Sequence, residues 1–172
     1  NRRVIYKHAP TANDGWFFAG KELWIGTGPG TLLSSLARTR TDIPFAGTTV
    51  VLAVPALETI VYEGRTFTRT FQYHTTNFGD YAQAFQITET GDFTRVTTRE
   101  FQDNFSPVWL ANRISQITVA VGSESFTDTW SRDTSTGFLE SQTIRGIETS
   151  FAPDAFGNVG SQMDGNGHTT TF

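Results

Sequence analysis

The sequence predicts an all-β fold made of consecutive antiparallel β-hairpins that form a curved, continuous sheet. Three observations carry that expectation. Helical periodicity is nearly absent. Runs rich in Thr, Val, Ile, Phe and Tyr are cut at short intervals by Gly, Asn and Asp. Large aromatic residues recur at fixed spacing toward the C-terminal end.

The chain reads as a divergent aromatic and Gly-rich segment with strands over residues 1–60, followed by hairpin repeats over 61–172. Pro10 to Gly30 breaks the strand rhythm. It carries Trp16, Phe17, Phe18 and Trp24 among glycines, and is expected to pack as a plug or cap. Thr31 to Thr39 (TLLSSLART) sets Leu32, Leu33 and Leu36 on one helical face and supports at most a turn or short helix. The longest apolar run, Val50 to Leu57 (VVLAVPAL), is interrupted by Pro55, so no membrane span is expected.

Hairpins then follow one another. Glu58 to Tyr62 and Thr66 to Tyr73 join through Glu63-Gly64-Arg65. Phe85 to Glu89 and Phe93 to Thr98 join through Thr90-Gly91-Asp92. Ile114 to Val121 and Ser125 to Trp130 join through Gly122-Ser123-Glu124. Asn104 to Ala111, with Pro107 and Trp109, reads as a longer connection.

Composition narrows the function classes. Thirteen basic and seventeen acidic residues give a net charge of −4, so no global basic field invites nucleic acid. Arginines alternate with threonines, as in Arg38-Thr39-Arg40-Thr41, which reads as a solvated outer face. The absence of Cys removes disulfides, zinc knuckles and thiol catalysis. The chain opens at Asn1 without an initiator Met, and is expected to be a processed product or a fragment.

The internal repeat is the most informative feature. Phe67-Thr68-Arg69-Thr70-Phe71 recurs as Phe126-Thr127-Asp128-Thr129-Trp130, and His74-Thr75-Thr76 matches Asp133-Thr134-Ser135. Trp130, Phe151 and Phe172 are evenly spaced. Ser141-Gln142 matches Ser161-Gln162, Gly146 matches Gly167, Thr149 matches Thr170, and Gly137 matches Gly157 within one place. Each unit reads as one hairpin. A lone hairpin is marginal in water, so the units are expected to stack into a sheet with an aromatic ladder on one face and Thr and Arg on the other.

The best copy, "FAPDAFGNVGSQMDGNGHTTTF" (151–172), resembles the unit of the Rhs/YD-repeat family, found in bacterial polymorphic toxins, insecticidal toxin complexes and teneurins. Asp154, Gly157, Asn158, Asp164, Gly167 and Thr170 fill the family's pattern, and Phe172 takes its aromatic place. Pro153 stands where the family has Tyr, with Phe151 supplying the aromatic surface. The resemblance implies a portion of a hollow β-shell wall in a secreted or cell-surface protein. Such a wall encloses or presents a toxin or effector polypeptide, is not an enzyme and holds no cofactor. Its implied partners are further repeats or other copies of the chain, met through open sheet edges. The Asp-Pro-x-Gly self-cleavage motif of many bacterial members is absent, since Ala155 follows Asp154.

Several segments resemble known site motifs but read as turn or surface features. Asp164-Gly165-Asn166-Gly167-His168 looks like the start of a calcium loop but lacks the later acidic ligands. Gly26-Thr27-Gly28-Pro29-Gly30 lacks the Gly-Lys-Ser/Thr of a phosphate loop, and Pro29 removes a donor. His8, His74 and His168 show no paired metal spacing. Glu58 with Glu63, and Glu89 with Asp92, flank turns and read as solvated. Trp16, Phe17, Trp24, Trp109 and Trp130 read as sheet anchors rather than a sugar platform. Two other functions stay open: a closed antiparallel barrel binding or isomerising a small apolar ligand, and an adhesin or carbohydrate-binding module.

Overall fold

Strands form wherever side chains alternate at period two between Gly-bearing turns. The computed structural model describes residues 2–10, 16–26, 30–44, 51–74, 83–102 and 113–172. Their strands are β1 (Arg2–Pro10), β2 (Trp16–Ile25), β3 (Thr31–Pro44), β4 (Val51–Tyr62), β5 (Arg65–Tyr73), β6 (Ala84–Thr90), β7 (Thr94–Phe101), β8 (Ile114–Val121), β9 (Glu124–Arg132), β10 (Leu139–Ile144), β11 (Ile147–Pro153), β12 (Val159–Met163) and β13 (Thr169–Thr171). They lie in one antiparallel meander in sequence order, β1 to β13, and the sheet is not closed into a barrel. The closed-barrel alternative is thereby overturned.

Two expectations for the N-terminal third need correction. Trp16–Ile25 is a strand paired to Arg2–Pro10 on one side and to β3 on the other, rather than a plug. Thr31–Thr39 is not helical; it opens the 14-residue strand β3, whose pairing with β4 runs from Ser34↔Tyr62 to Pro44↔Val51. The three leucines at helical spacing misled because Ser34, Ser35 and the Thr-Arg alternation after Leu36 favour the extended chain, and a strand partner was at hand. Residues 1, 11–15, 27–29, 45–50, 75–82 and 103–112 lie outside the described residues, and with them most of the Gly-rich loop and the 104–111 connection.

The chain divides into two units, Asn1–Val96 and Thr97–Phe172. In the first, period-two alternation separates two chemistries. One face bears Thr59, Thr68 and Thr90 in register, and beside them Leu57, Thr70 and Thr88. The opposite face bears Tyr6, Lys21, Leu36, Ile60 and Phe67, one from each of five adjacent strands.

Next to that row, apolar except for Lys21, runs a row of charges. Arg38 on β3 opposes Glu58 on β4, Glu58 opposes Arg69 on β5, and Arg69 opposes Glu89 on β6. The arginine Nε of Arg38 donates to Glu58 Oε1 at 2.7 Å, and Arg69 donates to Glu58 at 3.3 Å and to Glu89 at 2.7 Å. Arg95 on β7 closes the row on the other oxygen of Glu89. Signs therefore alternate across five strands. Arg38 also lies 5.2 Å from the Phe18 ring centroid, a cation–π contact.

Glu58 is 4% exposed and is the one buried charged residue among the described residues. The expectation that it is a solvated turn residue is wrong. It sits five positions before the Glu63-Gly64 turn and faces two arginines that lie 20 and 11 positions away in sequence. The expectation of arginines on a solvated outer face also fails for Arg38 and Arg69, which share the face of Leu36, Ile60 and Phe67. Tyr73 extends the same network: its hydroxyl donates to the Pro55 carbonyl at 2.8 Å. Burial, and then the Glu58 charge, push its pKa up to about 12.

Few described residues are buried: Gly20, Ile43, Val54 and Ala84 besides Glu58. Cross-strand pairing, rather than a deep core, therefore carries much of the stability. Removing Glu58 leaves two guanidinium groups without their shared anion. Breaking a fully buried pair costs about 3–5 kcal/mol. The side chains of Arg38 and Arg69 keep 29% and 40% exposure, which lets water take over part of that loss. Glu58→Ala is expected to lower stability in urea denaturation by about 2–3 kcal/mol, with Arg38→Ala costing less. A loss under about 0.5 kcal/mol would show that the row does not hold the strands.

Candidate functional site

The residues that fill the repeat pattern lie in the second unit, and the strand register brings them into rows. On one face Trp130 opposes Gln142, and Gln142 opposes Thr149. On the same face Phe151 opposes Gln162, and Gln162 opposes Thr170. An aromatic–Gln–Thr row thus occurs twice. Phe172 follows Thr170 by two positions and its backbone N–H donates to the Gly160 carbonyl at 2.9 Å. Its ring is 75% exposed.

These rows correct the expected split of chemistries. Threonines do occupy the opposite face along β5 and β9, where the Thr127 hydroxyl meets that of Thr118 on β8 at 3.0 Å. Thr149 and Thr170, however, share the aromatic face, because each stands two positions before its aromatic residue. Arg69 shares it for the same reason, being flanked by Phe67 and Phe71.

Three turns of the repeat are each held by an aspartate of their own. Asp154 Oδ1 accepts the backbone N–H groups of Phe156 at 2.8 Å and Asn158 at 2.9 Å. The Asp154 N–H donates to the Asn158 carbonyl and the Gly157 N–H to the Asp154 carbonyl. Asp164 repeats this set, accepting from Asn166 and His168 at 2.9 Å each, with Gly167 N–H on its carbonyl. Gly157 and Gly167 both have φ of 84°, which a side chain would strain.

Asp133 forms a third such turn that the sequence reading matched only by phase. Its Oδ1 accepts the backbone N–H groups of Ser135 and Thr136 and both their hydroxyls, at 2.6–3.0 Å. Here the backbone bond from Asp133 N–H reaches Phe138, one residue further than in the Asp154 turn. The next turn compensates. Arg145-Gly146, both at positive φ, makes a tight hairpin, whereas its counterpart spans Asp164 to His168. The even spacing of the aromatics survives because one turn shortens as the other lengthens. This is also why Gly137 and Gly157 fall out of phase by one place.

The turn geometry decides the chemistry of these acids. In Asp133, hydrogen bonds from the Ser135 hydroxyl and then the Thr136 N–H and hydroxyl pull the pKa down to about 2. Asp154 is lowered by the Asn158 and then the Phe156 N–H, and Asp164 first by the His168 N–H. Each carboxylate spends its Oδ1 lone pairs on the backbone, which suits a staple rather than a metal ligand or a general acid. Among the described residues no group of three His, Asp or Glu side chains is placed to hold a metal.

The histidines sit in separate settings. His8 meets the Phe18 ring edge-on at 5.8 Å, His74 lies 4.3 Å from the Phe85 ring, and His168 Nδ1 is 3.4 Å from Asp164 Oδ2. Trp24 Nε1 donates to Glu22 at 3.1 Å while Arg3 covers the ring, so that indole is already engaged. Trp109 lies outside the described residues. No protein-family model matches the chain, and no curated protein matches it. The fold and these turns define an all-β hairpin meander with aspartate-stapled turns.

Stability should follow the aspartates. A folded pKa of about 2 for Asp133, against 3.8 ordinarily, means its contribution is full above about pH 4 and is lost as pH falls toward 2. Asp133→Asn keeps one acceptor oxygen and is expected to leave the turn formed at pH 7 while flattening the acid loss of stability over that window. NMR titration of the Asp133 carboxyl checks the value directly, and a pKa near 3.8 would contradict the staple. Gly167→Ala is expected to cost about 1–2 kcal/mol from the left-handed backbone alone.

Proposed function

We propose that this chain is a length of structural wall in a secreted or surface-delivered protein of the Rhs/YD-repeat kind, and that the wall encloses or presents a toxin or effector polypeptide. The repeated aromatic–Gln–Thr row, with an aspartate staple at its turns, is the observation that carries this reading. It supports it because a row that recurs in phase lets hairpin be added to hairpin without designing a new core.

The mechanism is steric rather than catalytic. In a meander the N–H and C=O groups of inner strands are taken up by neighbours, so the sheet offers little for proteases or other chains to engage. The outer strands β1 and β13 keep unpaired backbone groups along one side each, which suits them to join further repeats or other copies of the chain. The stapled turns fit the same role: they fix where each strand reverses, with the Asp133, Asp154 and Asp164 carboxylates engaged by backbone N–H groups.

The gene product that contains this chain provides the test. Its coding sequence on either side of residues 1 and 172 is expected to encode more hairpins with the same spacing of aromatic residues, followed by a region of unrelated composition. Native proteolysis of that whole product should cut loops of the repeats while the following region survives. Stop codons directly at both ends, or digestion of that region as fast as an unstructured chain, would overturn the proposal.

A further inference from the structure

The face of the first unit that bears the charge row also holds a hollow of about 300 Å3 at the end of β5 and β6. Ile60, Phe67 and Phe93 supply apolar walls, and Arg69, Glu89 and Arg95 stand around them. Gly91 makes room for the Phe67 ring: a Cβ there would come within 2.5 Å of it. Phe93 is 67% exposed, so one wall of the hollow is an aromatic ring open to water. Arg65, bonded to Asp92 at 3.1 Å, adds a further cation at the rim. The hollow thus combines an apolar interior with a rim of three arginines and the carboxylates they bond, Glu58, Glu89 and Asp92.

The second unit carries a group that fits such a hollow. Phe156 is 89% exposed, more than any other large apolar side chain among the described residues. It projects from a turn rather than lying on the sheet. The turn is rigid, because Asp154 bonds the N–H of Phe156 itself and that of Asn158. A pre-organised ring loses little freedom on docking. Charge points the same way. Residues 97–172 hold nine acidic and four basic side chains, whereas residues 1–96 hold eight and nine. Asp154 sits two positions from the ring and would approach the arginine-bearing rim.

We infer that copies of this chain associate head to tail, with the Phe156 turn of one copy seated between Phe67 and Phe93 of the next. Such a contact uses two different patches, so it propagates unless the rotation closes a ring. One ring and a few charges make a weak contact, with Kd on the order of 0.1 mM. The inference does not require the wall reading above, since pairing through the strand edges would involve neither Phe156 nor Phe93.

Sedimentation velocity over a concentration series tests it with two surface variants. Phe156→Ser removes the knob and leaves the hollow; Phe93→Ser spoils the hollow and leaves the knob. Both residues are largely exposed, so circular dichroism should match the parent chain. Each variant alone is expected to bind itself at least about tenfold more weakly than the parent. An equimolar mixture is expected to form heterodimers and nothing larger, because each pair retains one intact knob and one intact hollow. Raised salt should weaken the parent assembly. A parent chain that stays monomeric at millimolar concentration, variants that associate as the parent does, or a mixture that gains nothing over its components would each overturn the inference.

Discussion

Glu58 is the constraint on which the first unit turns. It is a buried carboxylate, and it is tolerable only because Arg38 and Arg69 arrive from the two neighbouring strands at hydrogen-bond distance. That requirement sets the register of both strand pairs at once. A slip of one residue would carry Arg38 or Arg69 to the threonine face and leave the anion without its partner. Glu89 then extends the same logic to β6 and β7. Burial raises its pKa, but the hydrogen bonds from Arg69 and Arg95 outweigh that and hold the group below its ordinary value. Arg69, donating to both glutamates, has its own pKa raised, chiefly by Glu89. The row is therefore a coupled device, in which each inner member is held by two neighbours of opposite sign.

The second unit fixes register by other means. Its rows are neutral, with Gln142 and Gln162 opposite aromatic residues, and a neutral row discriminates less sharply against slippage. The turns supply what the rows lack. Asp133, Asp154 and Asp164 each gather backbone N–H groups onto one oxygen, so the point of chain reversal is specified to the residue. Once a turn is fixed, pairing of the strands beyond it follows without a long-range anchor. Local chemistry thus substitutes for the cross-strand charges of the first unit.

That difference explains what could be read from the sequence. The hairpins at Glu63-Gly64 and Gly122-Ser123 announce themselves, since strand–Gly turn–strand is contiguous information. The repeat phase was legible for the same reason, as was the place of Asp164 at a turn. The Glu58 anchor was not, because its partners lie far off along the chain and nothing near Glu58 marks it as buried. Leu32, Leu33 and Leu36 misled because three leucines satisfy a helical template while the deciding partner, β4, lies beyond Pro44. The aromatic face was misassigned although the signal was present: counting two places back from Phe151 and Phe172 puts Thr149 and Thr170 beside them. Turn placement was legible; burial was not.

A sheet organised in this way depends mainly on contacts between adjacent strands. Each strand is stabilised by the two that flank it, so stability grows as a sum of neighbour terms rather than around one centre. Such a sum tolerates exchange of length between turns, which is what the Asp133 and Asp164 turns do. One lengthens where its counterpart is shorter, and the other offsets it, while Phe151 and Phe172 keep their rows. A globular core would resist that trade, because shifting one strand end would leave a void or a clash beneath it. A row of side chains resting on its own sheet needs only that the register be restored before the next aromatic residue. The spacing between anchors, rather than the length of any one turn, is therefore the quantity under physical constraint.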